Sequence, residues 1–534
     1  MRIYIDVSEL LKQNFISGIQ RTVIEYTLRL LKKREYDVWL FSTSLDGKQL
    51  YLVSNEAFTA FYTYRSDNKR RCITGKSFQV SDMKRGEVYL ELDATWGSPL
   101  KRGIFFDQLK KQGVVIVSYI YDIIAITAPQ FMFQGLINDF IPYAVAHLTY
   151  SDMIVCSTEF TVGQIRELCR RYGIPETRYG IAPLGSDFQV DPKRARIKTQ
   201  DEAKALTALG EKYILTVGTL EPRKNHKLLL DAYDRGLKEM GVQLVFVGRT
   251  GWKIDDLLRR MHGHPDYGKN LFHLEGMNDA SVAWLYDHAW LVAFPTFIEG
   301  FGIPAVEALQ HHVPTILSDI PVMHEVGKHY CDYCDPHDPD SFVKAVRRFF
   351  EDADYYNRRK KETHSYRPAT WDDAVDMLCG CVDAAEKRGS QPAAARTVDL
   401  SGFLEQARAE QLPEALLNDI MPMRDIMMDV KMEALRTMEV HYYRELTSYY
   451  KPIGGIVIFL KRVIRKLARF IGEPMADELN EYHRRIVAAF EEQLEVNQLV
   501  YELRDRVDRL TEENRLLRSE LQTERHTEHK EGSE

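Results

Sequence analysis

At 534 residues, 45% of them hydrophobic and 28% charged, the chain has the composition of a folded protein and the length of roughly three domains. A formal net charge of −7 excludes a global electrostatic footprint for nucleic acid, so any basic surface must be local. Seven cysteines are too few and too odd in number for a disulfide framework, which fits the reduced thiols of a cytoplasmic protein.

The opening MRIYIDVSELLKQ has no apolar signal core, and no run approaches the ~18 apolar residues of a membrane span. Short apolar runs then recur with helical patterns between them: IYIDV, DVWLFS, EVYLELD, VVIVSYIYDII, MIVCST, YILTVGT, VQLVFVGR, LVAFPT and PTILSD. This alternation predicts α/β architecture, with parallel sheets covered by helices on both faces. A polar stretch around residues 190–210, DPKRARIKTQDEAKALTALG, divides the series into two doubly wound domains, 1–195 and 196–388. The second closes near residue 350, and YRPATWDDAVDMLCGCVDAAEKR follows as a last helix. Cys331 with Cys334 and Cys379 with Cys381 are read as small buried apolar residues rather than as four zinc ligands.

Gly389–Leu400, GSQPAAARTVDL, has the small-residue, proline-containing composition of a linker. A helical region at 401–474 comes next. Within it, at 453–471, Ile456, Val457, Leu460, Val463, Ile464 and Leu467 share one helical arc, and Lys461, Arg462, Arg465, Lys466 and Arg469 share the other. Such a helix is expected to lie in the plane of an anionic membrane surface. Over 475–525, Val496, Val500, Leu503, Val507, Leu510, Asn514, Leu517 and Leu521 follow heptad spacing. Valine at a, leucine at d and one asparagine at a predict a parallel two-stranded coiled coil, hence a homodimer. Residues 526–534 read as a frayed tail.

Chemistry concentrates in two stretches. In YILTVGTLEPRKNH a strand ends at Gly218 and a turn presents Arg223 and Lys224, at the sheet edge where α/β proteins bind ligands. A diphosphate fits those cations. In FIEGFGIPAVEAL, Gly300 and Gly302 let backbone approach a ligand, and Pro304 opens a helix whose free N–H groups face an anion. Glu299 precedes that anion site and Glu307 lies one turn inside the helix, so the two acids flank the phosphates and face different hydroxyl-bearing groups.

Taken in order, SGIQRTVIEY, YDIIAITAPQF, VCSTEFTVGQI, IAPLGSDF, VGTLEPRKNH, LVFVGR, FIEGFGIPAVEAL and YCDPHDPDSF make the first 388 residues resemble the retaining glycosyltransferases of the GT-B fold, a family that includes bacterial mannosyltransferases of O-antigen and capsule synthesis. The resemblance implies two Rossmann-like domains, a nucleotide-sugar in the cleft between them, and a last helix crossing back to the first domain. It assigns Glu299 to hydroxyls of the donor sugar and Glu307 to the ribose. Arg223 and Lys224 would hold the diphosphate with the N–H groups of Phe301 and Gly302, so that no metal or further cofactor is required. Gly18 matches the loop that approaches the donor phosphates and acceptor, and Gly185 a hinge-side turn.

Where the family usually has histidine then aspartate, this chain has Tyr121 and Asp122. Tyr121 is expected to hydrogen-bond without serving as a base, and Asp122 to orient the site. The resulting expectation is transfer of mannose from GDP-mannose to a growing, lipid-linked bacterial surface glycan, at the cytoplasmic face of the inner membrane. The alternative is a catalytically inactive GT-B scaffold that recruits another glycan-assembly enzyme through its coiled coil.

Overall fold

A computed structural model describes residues 1–12, 18–44, 47–64, 72–171, 173–175, 177–186 and 206–390. The linker from residue 391, the helical region 401–474 with its basic segment 453–471, the heptads of 475–525 and the tail 526–534 lie outside the described residues, as does most of the polar join.

The first sheet has eight strands in the order β4-β3-β2-β1-β5-β6-β7-β8: β1 Arg2–Asp6, β2 Asp37–Thr43, β3 Leu50–Val53, β4 Ile73–Phe78, β5 Val88–Glu91, β6 Val115–Tyr119, β7 Met153–Cys156 and β8 Arg178–Ile181. Strands β3 and β4 add antiparallel at one edge, and the other pairings are parallel. Alternation within the central strands buries both faces. Ile3, Ile5, Val88, Leu90, Val115 and Val117 fill one core, whereas Tyr4, Tyr89 and Ile116 fill the other.

The second sheet has six parallel strands in the order β11-β10-β9-β12-β13-β14: β9 Tyr213–Val217, β10 Gln243–Val247, β11 Leu271–Leu274, β12 Leu291–Phe294, β13 Thr315–Ser318 and β14 Asp332–Cys334. It is sandwiched in the same way, with Ile214, Leu244 and Phe246 on one face and Leu215, Val245 and Val292 on the other. Cys334 belongs to this second-domain core, and Cys379 to the core of the first.

Helices α1 (Gly18–Leu30), α2 (Arg102–Gln112), α3 (Gln134–Tyr150) and α4 (Glu159–Arg171) flank the first sheet, and α5 (Ile303–Gln310) and α6 (Pro321–Gly327) follow β12 and β13. The last described helix, α7 (Trp371–Glu386), begins with a capping box in which Thr370 Oγ1 accepts from Asp373 N (3.0 Å) and Asp373 accepts from Thr370 N (2.9 Å). Trp371, Ala374, Val375, Leu378 and Val382 then pack into the first-domain core, so the chain ends its second domain against the first. Gly185 permits that return, because a Cβ there would sit 2.4 Å from Trp371 Cα.

Candidate active site

The two chemistry-bearing stretches meet at the carboxyl ends of β9 and β12. Beyond Gly218, a short 3-10 turn, Pro222–Lys224, carries the cations, and the loop after β12 is laced to it. Phe297 N and Thr296 Oγ1 donate to Arg223 O (2.8 and 2.9 Å), and Asn225 Nδ2 donates to Pro295 O (3.0 Å) and Pro336 O (2.7 Å). Glu299 is thereby delivered between the cations, its Oε1 lying 2.6 Å from Arg223 Nη1 and 2.7 Å from Lys224 Nζ.

Burial acts to raise the Glu299 carboxyl, which is only 6% exposed, but Arg223 and Lys224 overcome it and hold the pKa at about 2. The same burial lowers the Lys224 ammonium, which also sits 4.5 Å over the Phe294 ring. Arg223 reaches Glu221 as well, at 2.7 Å. Gly218 lies beside this group, with a would-be Cβ 3.7 Å from Lys224 Cε.

Gly302 caps α5 in the left-handed region, at φ 95°, a conformation for which glycine has no steric penalty. The N–H groups of Phe301 and Gly302 have no acceptor among the described residues, so the helix start presents donors to the cleft. Glu307, buried one turn on, accepts from Tyr286 OH (3.1 Å) and lies 3.6 Å from Arg21 Nη1 of the first domain. Burial raises its carboxyl, with Arg21 and Tyr286 acting in the other direction.

The first domain closes directly on this loop. A Cβ on Gly300 would come within 2.3 Å of Tyr121 O and 2.9 Å of Asp122 Cβ, so the close approach requires glycine. Thr158 Oγ1 donates to Gly300 O at 2.9 Å. Glu325, on α6, accepts from Glu159 N (2.8 Å) and Phe160 N (3.0 Å) at the start of α4, a favourable place for a carboxylate. Gly18 faces α5, its would-be Cβ 3.5 Å from Ile303 Cδ1. Phe131 stacks on Phe297 with ring centroids 5.3 Å apart.

Tyr121 and Asp122 therefore border the loop that carries Glu299. The Tyr121 hydroxyl donates to Leu92 O at 2.8 Å, and burial pushes its phenol well above the usual range. Asp122 Oδ1 accepts from Ile124 N at 3.0 Å. Burial raises this carboxyl, with the Ile124 N–H and the nearby Arg223 opposing it. Arg21, Thr158, Tyr286 and Glu325 were not singled out from the sequence. Arg21 does lie inside the SGIQR motif and Thr158 inside VCSTEFTVGQI, but Tyr286 and Glu325 belong to segments with no chemical signature of their own.

Two Rossmann-like domains meet here over a donor-rich helix start, an acid and two cations, an arrangement similar to that of the GT-B glycosyltransferases. Residues 197–365 match the family model of glycosyl transferases group 1, and the chain resembles the O-antigen mannosyltransferases. The serotype-specific mannosyltransferase WbdA of Escherichia coli is 24% identical over 392 residues, a match covering 71% of this chain and 44% of WbdA. O-antigen chain mannosyltransferase B of Escherichia coli is 26% identical over 238 residues, covering 44% of this chain and 61% of that protein. O-antigen chain mannosyltransferase RfbU of Salmonella typhimurium is 30% identical over 155 residues, covering 28% of this chain and 41% of that one. The chain thus spans less than half the length of WbdA.

Proposed function

We propose that the protein transfers a sugar from a nucleotide-sugar to a growing bacterial surface glycan, with retention of anomeric configuration. The observation that carries this reading is the convergence of Glu299, Arg223 and Lys224 beside N–H groups of Phe301 and Gly302 that have no acceptor among the described residues. The diphosphate would lie on those N–H groups and cations, the donor sugar on Glu299, and the ribose on Glu307. As the bond from C1 to the diphosphate oxygen breaks, charge builds on the leaving group, where prepositioned donors stabilise it most. The acceptor hydroxyl forms the new bond to C1 on the same face, and its proton passes to the departing phosphate. Tyr121 is not needed as a base, and its hydroxyl is already given to Leu92 O.

Arg223 and Lys224 supply the positive charge that a metal would otherwise provide, so transfer should proceed undiminished in EDTA. Likeness to mannosyltransferases supports mannose, from GDP-mannose, as the sugar. The test is transfer by the full-length protein from a panel of nucleotide-sugars to a lipid-linked acceptor, followed by mass spectrometry. Glu299→Ala should lower the rate at least ~100-fold, on the scale of losing one preorganised stabilising group. A variant as active as wild type would refute the assignment, and a wild type that neither transfers nor binds nucleotide would favour a scaffold.

The tail extends the proposal. The basic arc of 453–471 supports docking on an anionic inner-membrane surface beside a lipid-linked acceptor, and the heptads of 475–525 support a homodimer. Liposome flotation with and without 453–471, and sedimentation of the whole chain against 1–474, test these two points. Equal flotation, or a monomer in both sedimentation runs, would count against them.

A further inference from the structure

The outer face of the first domain carries a groove of about 540 Å³, bounded by the segment from Thr95 to Gly103 and by α3. The site above makes no use of it. Its volume lies in the ~300–1,000 Å³ range of small-ligand sites, and its lining includes Trp96, Lys101, Asn138, Asp139, Tyr143 and Thr149.

Two polar groups here are unpartnered. Thr149 Oγ1 is buried with no hydrogen-bond partner among the described residues, although a helical threonine hydroxyl commonly turns back to the carbonyl of the preceding turn. Trp96 is half-buried and held by ring contacts, its centroid 5.5 Å from Phe140 and 5.7 Å from Tyr143. Its indole N–H has no acceptor among the described residues, where a tryptophan so placed usually finds one.

The charges select among ligands. The lining carries one exposed cation, Lys101, and one exposed carboxylate, Asp139, and the Arg102 guanidinium is committed to Asp6 and Glu91. One lysine set against one aspartate gives the lining no cluster of cations for a phosphate or a nucleic acid. What suits an indole face set among amide, carboxylate, ammonium and hydroxyl groups is an uncharged polyhydroxylated ring, its C–H face on the aromatic and its hydroxyls on the polar rim. The groove also shares its apolar backing with the wall of the cleft. Trp96 packs in one cluster with Ile123 and Ile124, the residues that follow Tyr121 and Asp122.

We infer that this groove binds the body of the acceptor glycan, sugar rings remote from the end being extended. The inference rests on the glycosyl-transfer reading for its substrate, but its test does not. A free mannose oligosaccharide of four to five residues, titrated into the full-length protein without donor, should bind saturably. Trp96→Ala, and separately the exposed helix-surface pair Asn138→Ala with Asp139→Ala, should weaken binding about tenfold and leave nucleotide affinity unchanged. In transfer assays both should raise KM for long acceptors by a similar factor, with kcat and the KM for a monosaccharide acceptor unaltered. Equal oligosaccharide affinity in wild type and the surface pair, or no binding by the wild type, overturns the groove. Absent transfer with variant-sensitive binding would instead sink the glycosyl-transfer reading and leave the groove standing.

Discussion

Each Rossmann-like domain buries a cluster of charges at the carboxyl edge of its sheet, and the two clusters are built for different ends. In the first domain Arg102 Nη2 lies 2.6 Å from Asp6 and its Nε 3.0 Å from Glu91, with every one of these side chains at most 3% exposed. Ser8 N (2.9 Å) and the hydroxyls of Ser8 and Tyr89 occupy further oxygens, and Thr95 Oγ1 donates to Glu91 at 2.5 Å. That cluster is sealed and satisfied from within. In the second domain Arg223 and Lys224 share Glu299, the Arg223 side chain stays 17% exposed, and N–H groups without acceptors among the described residues lie alongside. A lysine ammonium has three donors, and Lys224 gives one to Glu299. The contrast teaches that buried charge alone does not mark a site; donors left over in a cleft do.

The largest effect that separates the clusters is on folding. Arg102→Met strands two buried carboxylates and should cost about 3–5 kcal/mol of stability, read by chemical denaturation. If the variant kept wild-type stability, the framework role of the first cluster would be wrong. Gly300→Ala should come next. It should leave each domain folded but force the loop away from Tyr121 O, lowering transfer about 100-fold with a near-normal melting temperature. A fully active variant would mean that the two domains need not meet there.

Titration sharpens the same comparison. Glu299 has its pKa depressed from 4.5 to about 2, so its contribution is complete above the unfolded value and is lost only as pH falls from about 4.5 toward 2. Nucleotide affinity should therefore show no Glu299 titration between pH 8 and 5. Asp93, two residues beyond β5, behaves oppositely. Burial raises it from 3.8 to about 7, with Asp6 and Glu9 adding to the shift and the N–H groups of Ala94 and Leu10 opposing it. Its stabilisation of the fold is complete below pH 3.8 and is lost as pH rises through about 7. Asp93→Asn should flatten stability over that window, as followed by denaturation at several pH values. A slope unchanged by the substitution would assign it elsewhere. The smallest effect belongs to Tyr121→Phe, which removes one hydrogen bond to Leu92 O and should cost about 1 kcal/mol of stability with little change in kcat. A collapse of kcat would give Tyr121 a direct role.

The central strands were legible because burial on both faces writes a continuous apolar run, as in VVIVSY and LVAFPT. Several strands at or near the edges were not: LYLV, next to the edge, is only four residues, ITGKSF is mostly polar and exposed, and RYGI and LFHL lack a long run. The donor-side residues were legible because glycine, proline, acid and cation signals lie close together within two short motifs. Glu325 at the start of α4 and Arg21 beside Glu307 were illegible for the converse reason, since tertiary packing alone assembles those pairs. Asp6, Glu91 and Arg102 look like ordinary charged residues along the chain, and only the fold reveals them as one sealed unit.

The most direct test of the account is anomeric product analysis of the full-length wild type beside Lys224→Ala, with donor and lipid-linked acceptor saturating. The account predicts a product that keeps the donor's anomeric configuration in the wild type, and a rate at least ~100-fold lower in a folded variant. An inverted product, or a variant as fast as wild type, would contradict it.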